Sequence, residues 1–190
     1  MKSDKIVVVS GLPRSATSLL MQMLGAGGAA LLTDENRLPD EDNPKGYLEY
    51  EPVKNIRINK EWLSISKGKV VKIIHALLPD LPSNYQYKII FINRNLEEVV
   101  ASQTKMLQRT GRVGANMPAD KLTALFTAER TRILKWIGEQ KNMELLECDY
   151  REIVEDSLFN AQRIATFLEL ELDINLMAQG VDTKLYRNKF

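Results

Sequence analysis

Apolar and polar positions along this 190-residue chain follow two alternating rhythms: short unbroken apolar runs, and longer stretches in which apolar residues recur every three or four positions. Residues 6–9 form the first run, a β-branched set suited to a buried parallel strand, and Leu19, Leu20, Met23 and Leu24 then recur at helical spacing. Residues 29–32 are expected to form a second short strand, 69–75 a third, 87–94 the clearest interior strand and 143–147 the last. Helices are predicted over 51–66, where Val53, Ile56 and Trp62 are apolar, and after Arg94, where Leu96, Val99, Val100 and Leu107 share a face. A longer one carries Leu122, Leu125, Phe126, Ile133, Trp136 and Ile137. Residues 153–170 read as mostly helical, with Phe167 and Leu168 in the core, and a short helix starts near Ile174. Strands alternating with helices imply an α/β fold, a parallel sheet of about five strands with helices on both faces.

Between the first strand and the first helix, Ser10-Gly11-Leu12-Pro13-Arg14-Ser15-Ala16-Thr17-Ser18 is a tight polar loop. Such a loop turns several backbone N–H groups and the positive end of a helix dipole toward one spot, which is an anion site. Against the phosphate-loop spacing G-x-x-x-x-G-K-[ST], Gly11 and Ser18 fit, while Ala16 and Thr17 stand where Gly and Lys belong. The sheet is therefore of P-loop type without the clamping lysine, and Arg14 is the loop's one cation. The strand over 87–94 likewise ends on Asn93-Arg94, where magnesium chemistry would want an acid. No metal is expected.

Length and charge narrow the picture. The 190 residues suit a single domain over 1–190, and 26 basic against 25 acidic residues, a net charge of +1, give no reason to expect nucleic acid or an anionic membrane as partner. The lone Cys148 excludes an intrachain disulfide and a cysteine-based zinc site. Neither a secretion signal nor a membrane span is read, so the expected location is cytoplasmic. Polar residues 33–37 would sit beyond a strand's carboxyl end, where open parallel sheets bind ligands, and 38–47, dense in Pro, Gly and acids, is a candidate substrate-facing loop.

A second anion site is legible downstream. Arg94 ends a strand and Ser102 lies eight positions on, in the next helix, a fork and a hydroxyl able to grip a phosphate. The loop Pro13-Arg14-Ser15-Ala16-Thr17-Ser18 resembles the 5′-phosphosulfate loop of the sulfotransferases, with Ala16 in place of the usual Gly. Arg94 to Ser102 resembles that family's 3′-phosphate segment, departing at Asn95 and Leu96. The stretch from Leu145 to Tyr150 and on to Phe167-Leu168 is similar to a third family segment. The resemblance spans roughly residues 7–168, with the two phosphate segments the specific part. It implies 3′-phosphoadenosine 5′-phosphosulfate (PAPS) as sulfuryl donor, bound by Pro13, Arg14, Ser15, Ala16, Thr17 and Ser18, by Arg94 and Ser102, and by Tyr150 against the adenine.

Sulfuryl transfer needs in-line positioning, charge neutralisation and a base. Arg14 and the loop amides suit the charge, with Lys72 as a second positive contact. Two residues compete for the base. His75 is the only histidine, and His-Ala-Leu-Leu-Pro resembles the segment after the catalytic histidine of cytosolic members, with one residue more between it and Lys72. An ungapped reading from Pro13 instead keeps step with the tyrosylprotein sulfotransferases and puts their catalytic glutamate on Glu35, the preferred candidate, and a nearby arginine on Arg37. Asp34 could share the role. The acceptor is expected to be a hydroxyl or amine of a small molecule or exposed group. The alternatives are a P-loop small-molecule kinase, and a non-catalytic protein that binds PAPS or its product adenosine 3′,5′-bisphosphate (PAP).

Overall fold

The computed structural model describes residues 4–34, 36–40, 43, 46–110 and 117–182. Strands β1 (Ile6–Gly11), β2 (Val70–Lys72), β3 (Tyr87–Asn93) and β4 (Met143–Asp149) form one sheet, all parallel, in the order β2-β1-β3-β4. Val7 stands opposite Val70 on one side and Lys88 on the other, and Asn93 opposite Asp149. Every residue of β1 is buried, which is why its apolar run is unbroken: both faces of the sheet are covered.

Alternation along β1 and β3 divides the core in two. Ile6, Val8, Ile89 and Phe91 pack with Ile133 and Ile137 of α3 (Ala119–Gly138). Val7, Val9, Ile90 and Ile92 pack with Leu20, Met21 and Leu24 of α1 (Thr17–Ala26) and with Ile164 and Leu168 of α5 (Ser157–Leu168). A third cluster joins Leu12 to Val99 and Val100 of α2 (Leu96–Thr110) and to Leu122 and Phe126 of α3, so α2 is anchored beside the loop that follows β1. The short helices α4 (Tyr150–Glu155) and α6 (Ile174–Gln179) complete the chain, capped by Asp149 and Asp173.

The sheet has four strands among the described residues where about five were expected. The missing one is 29–32. After Gly28 turns the chain at φ 93°, only Ala30 to Leu32 run beside β2, with Leu31 bridged to Val70, before Asp34 N–H bonds to Glu49 O instead. The helix expected over 51–66 is two 3₁₀ segments, Glu51–Asn55 and Glu61–Ser66. Asn55 O takes the N–H groups of both Ile58 and Asn59, and Asn59 Oδ1 takes that of Glu61, so local bonds displace a continuous helix. The strand expected over 69–75 stops at Lys72, and His75 opens a 3₁₀ segment, His75–Asp80. No helix among the described residues is long and apolar enough to cross a membrane.

The chain leaves β1 for β2 on one side and crosses to β3 on the other. That change of direction opens a crevice at the carboxyl ends of β1 and β3, the place where open parallel sheets bind ligands.

Candidate functional site

The crevice begins with the loop after β1. A side chain at Gly11 would meet Ser15 Oγ and, at 2.8 Å, Ile92 O, so only glycine fits there. Ser15 is buried and its hydroxyl donates to Leu12 O at 2.7 Å, which knits the loop from inside. Arg14 and Ala16 both have left-handed backbones, φ 64° and 76°. That conformation is why glycine suits position 16, and alanine there carries strain of about 1–2 kcal/mol. Ala16 supplies no side-chain cap to α1, whose Leu19 N–H turns back to Ala16 O at 3.0 Å.

A cleft of about 420 Å³ lies over this loop, and Pro13, Arg14, Ala16, Thr17 and Ser18 line it. Arg94, Ser102 and Tyr150 line the same cleft, although the chain separates them widely. Arg14 Nε donates to Ser102 Oγ at 3.0 Å, and Arg94 donates to Arg14 O at 3.2 Å. The Arg94 guanidinium sits 4.7 Å from the centre of the Tyr150 ring and pairs with Glu98, which is only 2% exposed, at 2.8 Å. Burial pushes the Tyr150 hydroxyl up from its ordinary range, with Arg94 opposing. Gln103, one residue past Ser102, also lines the cleft, and its buried Oε1 has no hydrogen-bond partner among the described residues.

The opposite wall is a strap over residues 46–50. Tyr47 OH donates to both carboxylate oxygens of Asp40, at 2.8 and 2.9 Å, and the Arg37 guanidinium lies 3.2 Å from the centre of its ring. Lys72 does not line the cleft. Its ammonium is buried beneath the strap, where it donates to Tyr47 O and, at 2.9 Å, to Ser18 Oγ. It therefore touches the phosphate loop through Ser18. Burial lowers its pKa to about 8, with Glu49 pulling upward.

The candidate bases separate. Glu35 lies outside the described residues. Asp34 accepts from the N–H groups of Asn36 at 3.1 Å and Glu51 at 2.6 Å, which makes it a cap for the neighbouring turns. His75 is 4% exposed, sits 3.1 Å from Glu129 of α3 and does not line the cleft; the extra residue after Lys72 turns it toward that helix. Glu49, which the sequence reading did not single out, does line the cleft, as do Tyr47 and Asn43. The signal available for Asn43 and Tyr47 was the Pro- and Gly-dense loop 38–47 expected on the substrate side; Glu49 lies just beyond it.

At the level of sequence no family model and no curated protein matches the chain. Solved structures do. A mouse sulfotransferase, SULT7A1, crystallised with PAP superposes over 93% of the chain with a TM-score of 0.60 at 18% identity. The chain has the sulfotransferase fold. The sulfotransferase domain of the curacin biosynthetic pathway covers all of the chain with a TM-score of 0.55 at 13% identity, and a sulfotransferase from Alicyclobacillus acidocaldarius covers 87% with 0.51 at 14%. The chain spans 63% of the length of the mouse protein, 80% of the curacin domain and 81% of the Alicyclobacillus protein. In this sulfotransferase fold the loop after β1 and the junction of β3 with α2 meet across one cleft.

Proposed function

We propose that the chain is a sulfotransferase that moves a sulfuryl group from PAPS to a hydroxyl or amine acceptor. One observation carries the reading: Arg14, Arg94 and Ser102 form a single hydrogen-bonded group on the wall of the cleft, with Tyr150 beside Arg94. In this reading the phosphosulfate lies on the loop amides with Arg14, the 3′-phosphate on Arg94 and Ser102, and the adenine near Tyr150. Thr17 and Ser18 orient the sulfuryl end, and Lys72 supports it through Ser18. The kinase alternative is disfavoured by Thr17 in the lysine position and by Asn93, whose amide donates to Glu147 at 2.8 Å.

Calorimetry of PAP against AMP tests the nucleotide assignment. Arg94→Ala should weaken PAP by about 1.5–3 kcal/mol, the scale of hydrogen bonds to a charged group, and leave AMP nearly unchanged. An equal loss for both ligands overturns the 3′-phosphate assignment. Single-turnover transfer from labelled PAPS to a panel of alcohols, phenols and amines then separates an enzyme from a protein that only binds the nucleotide.

A further inference from the structure

We propose that Glu49 is the base that takes the acceptor's proton, an assignment that rests on the sulfuryl transfer proposed above. Of the carboxylates among the described residues, Glu49 and Asp182 line the cleft, and Asp182 belongs to its Tyr150 end. Glu49 stands at the loop end. A single buried ammonium, that of Lys72, lies 2.9 Å from Ser18 Oγ and 4.0 Å from Glu49 Oε1, which ties the carboxylate to the helix start where the phosphate loop ends.

The two oxygens of Glu49 differ. Arg37 donates to Oε1 at 2.9 Å and Lys72 approaches the same oxygen, whereas Oε2 accepts no hydrogen bond among the described residues. Oε1 is thus the held oxygen and Oε2 the one open to a ligand. The same Arg37 guanidinium lies over the Tyr47 ring, whose hydroxyl donates to Asp40, so Glu49, Arg37, Tyr47 and Asp40 form one connected group. Both cations face Oε1, which leaves the proton-accepting role to Oε2.

The step balances without a further reactant. An acceptor O–H gives its proton to Glu49 Oε2 as the acceptor oxygen forms a bond to sulfur. The bond from sulfur to the bridging oxygen of the donor breaks, and its electron pair leaves on the 5′-phosphate of PAP. The proton then passes from Glu49 to water.

Graded acceptors test this with the whole chain. PAPS consumption is followed in single turnover with phenol, with pentafluorophenol, which is already ionised at neutral pH, and with water as the default acceptor; PAP affinity is measured alongside. Glu49→Gln should slow transfer to phenol, and PAPS hydrolysis, by about 10²–10⁴-fold, and transfer to pentafluorophenol by less than about tenfold, because an ionised acceptor needs no base. PAP affinity should stay within about twofold, since Glu49 holds no part of the nucleotide in this reading. An equal loss for both phenols, or one that follows PAP affinity, marks a structural role and overturns the assignment. So does a Glu35→Gln variant that shows the acceptor-dependent loss while Glu49→Gln does not. A wild-type chain that transfers to phenol while Glu49→Gln shows no acceptor-dependent loss overturns the base assignment alone; one that binds PAP but turns over PAPS with no acceptor overturns the transfer proposed above as well. One that binds no PAP overturns the proposed function beneath it.

Discussion

Burial holds the Lys72 ammonium at about 8, below its ordinary 10.5, and so ties part of the fold's stability to alkaline pH. Between those values the unfolded chain binds a proton at this residue that the folded chain does not, so the Lys72 contribution to folding stability rises with pH across the window; below about 8 both states are charged and the cost of burying the charge is complete. The full rise is on the order of 3 kcal/mol. Burial pushes the Cys148 thiol up to about 11, which acts the opposite way in both proteins, so the difference is what reports on Lys72: in urea unfolding from pH 7.5 to 10.5 the wild type should gain stability relative to Lys72→Met. Parallel curves for the two proteins would place the Lys72 titration elsewhere. Residue identity was legible at this position, since Lys72 was expected near the site. Its placement beneath Ser18, and not in the open cleft, depends on where Tyr47 O lands, 25 residues away.

Elements position the chemistry more than single residues do. The strap that carries Tyr47 and Glu49 is tied at its base by Asp34, whose backbone N–H donates to Glu49 O while its carboxylate caps the 3₁₀ segment that starts at Glu51. Removing that carboxylate leaves two backbone donors without their acceptor. Asp34→Ala should therefore cost about 1–2 kcal/mol in denaturant unfolding while PAP affinity stays within about twofold. A loss of transfer with no loss of stability would return Asp34 to the role of base. The same logic explains His75. One more residue after Lys72, together with the 3₁₀ segment His75–Asp80, rotates its ring away from the crevice and onto Glu129. Periodicity marked the end of β2 only to within a few residues, and at a strand end a few residues change the face a side chain joins.

For the whole molecule, β3 ends on Asn93 and Arg94 follows, where magnesium chemistry would want an acid, so the proposed transfer is expected to be metal-independent. Excess EDTA should leave PAP affinity and the rate of PAPS consumption unchanged, and a strict magnesium requirement would restore the kinase reading. The parallel α/β order, the loop over Gly11 to Ser18 and the placement of Arg94 just past a strand with Ser102 in the next helix were readable from the chain, because each depends on local spacing: apolar periodicity, turn residues and a strand running into a helix. Left-handed backbone at Ala16 shows why glycine suits that position, and the alanine there has no structural explanation. What tertiary structure alone decided is which distant segments share the cleft. Tyr47 and Glu49 reach it because the strap closes over Lys72, and Arg14 meets Ser102, 88 residues on, because α2 packs beside Leu12. Such contacts arise from packing between segments far apart in the chain, and no local pattern of apolar and polar residues encodes them.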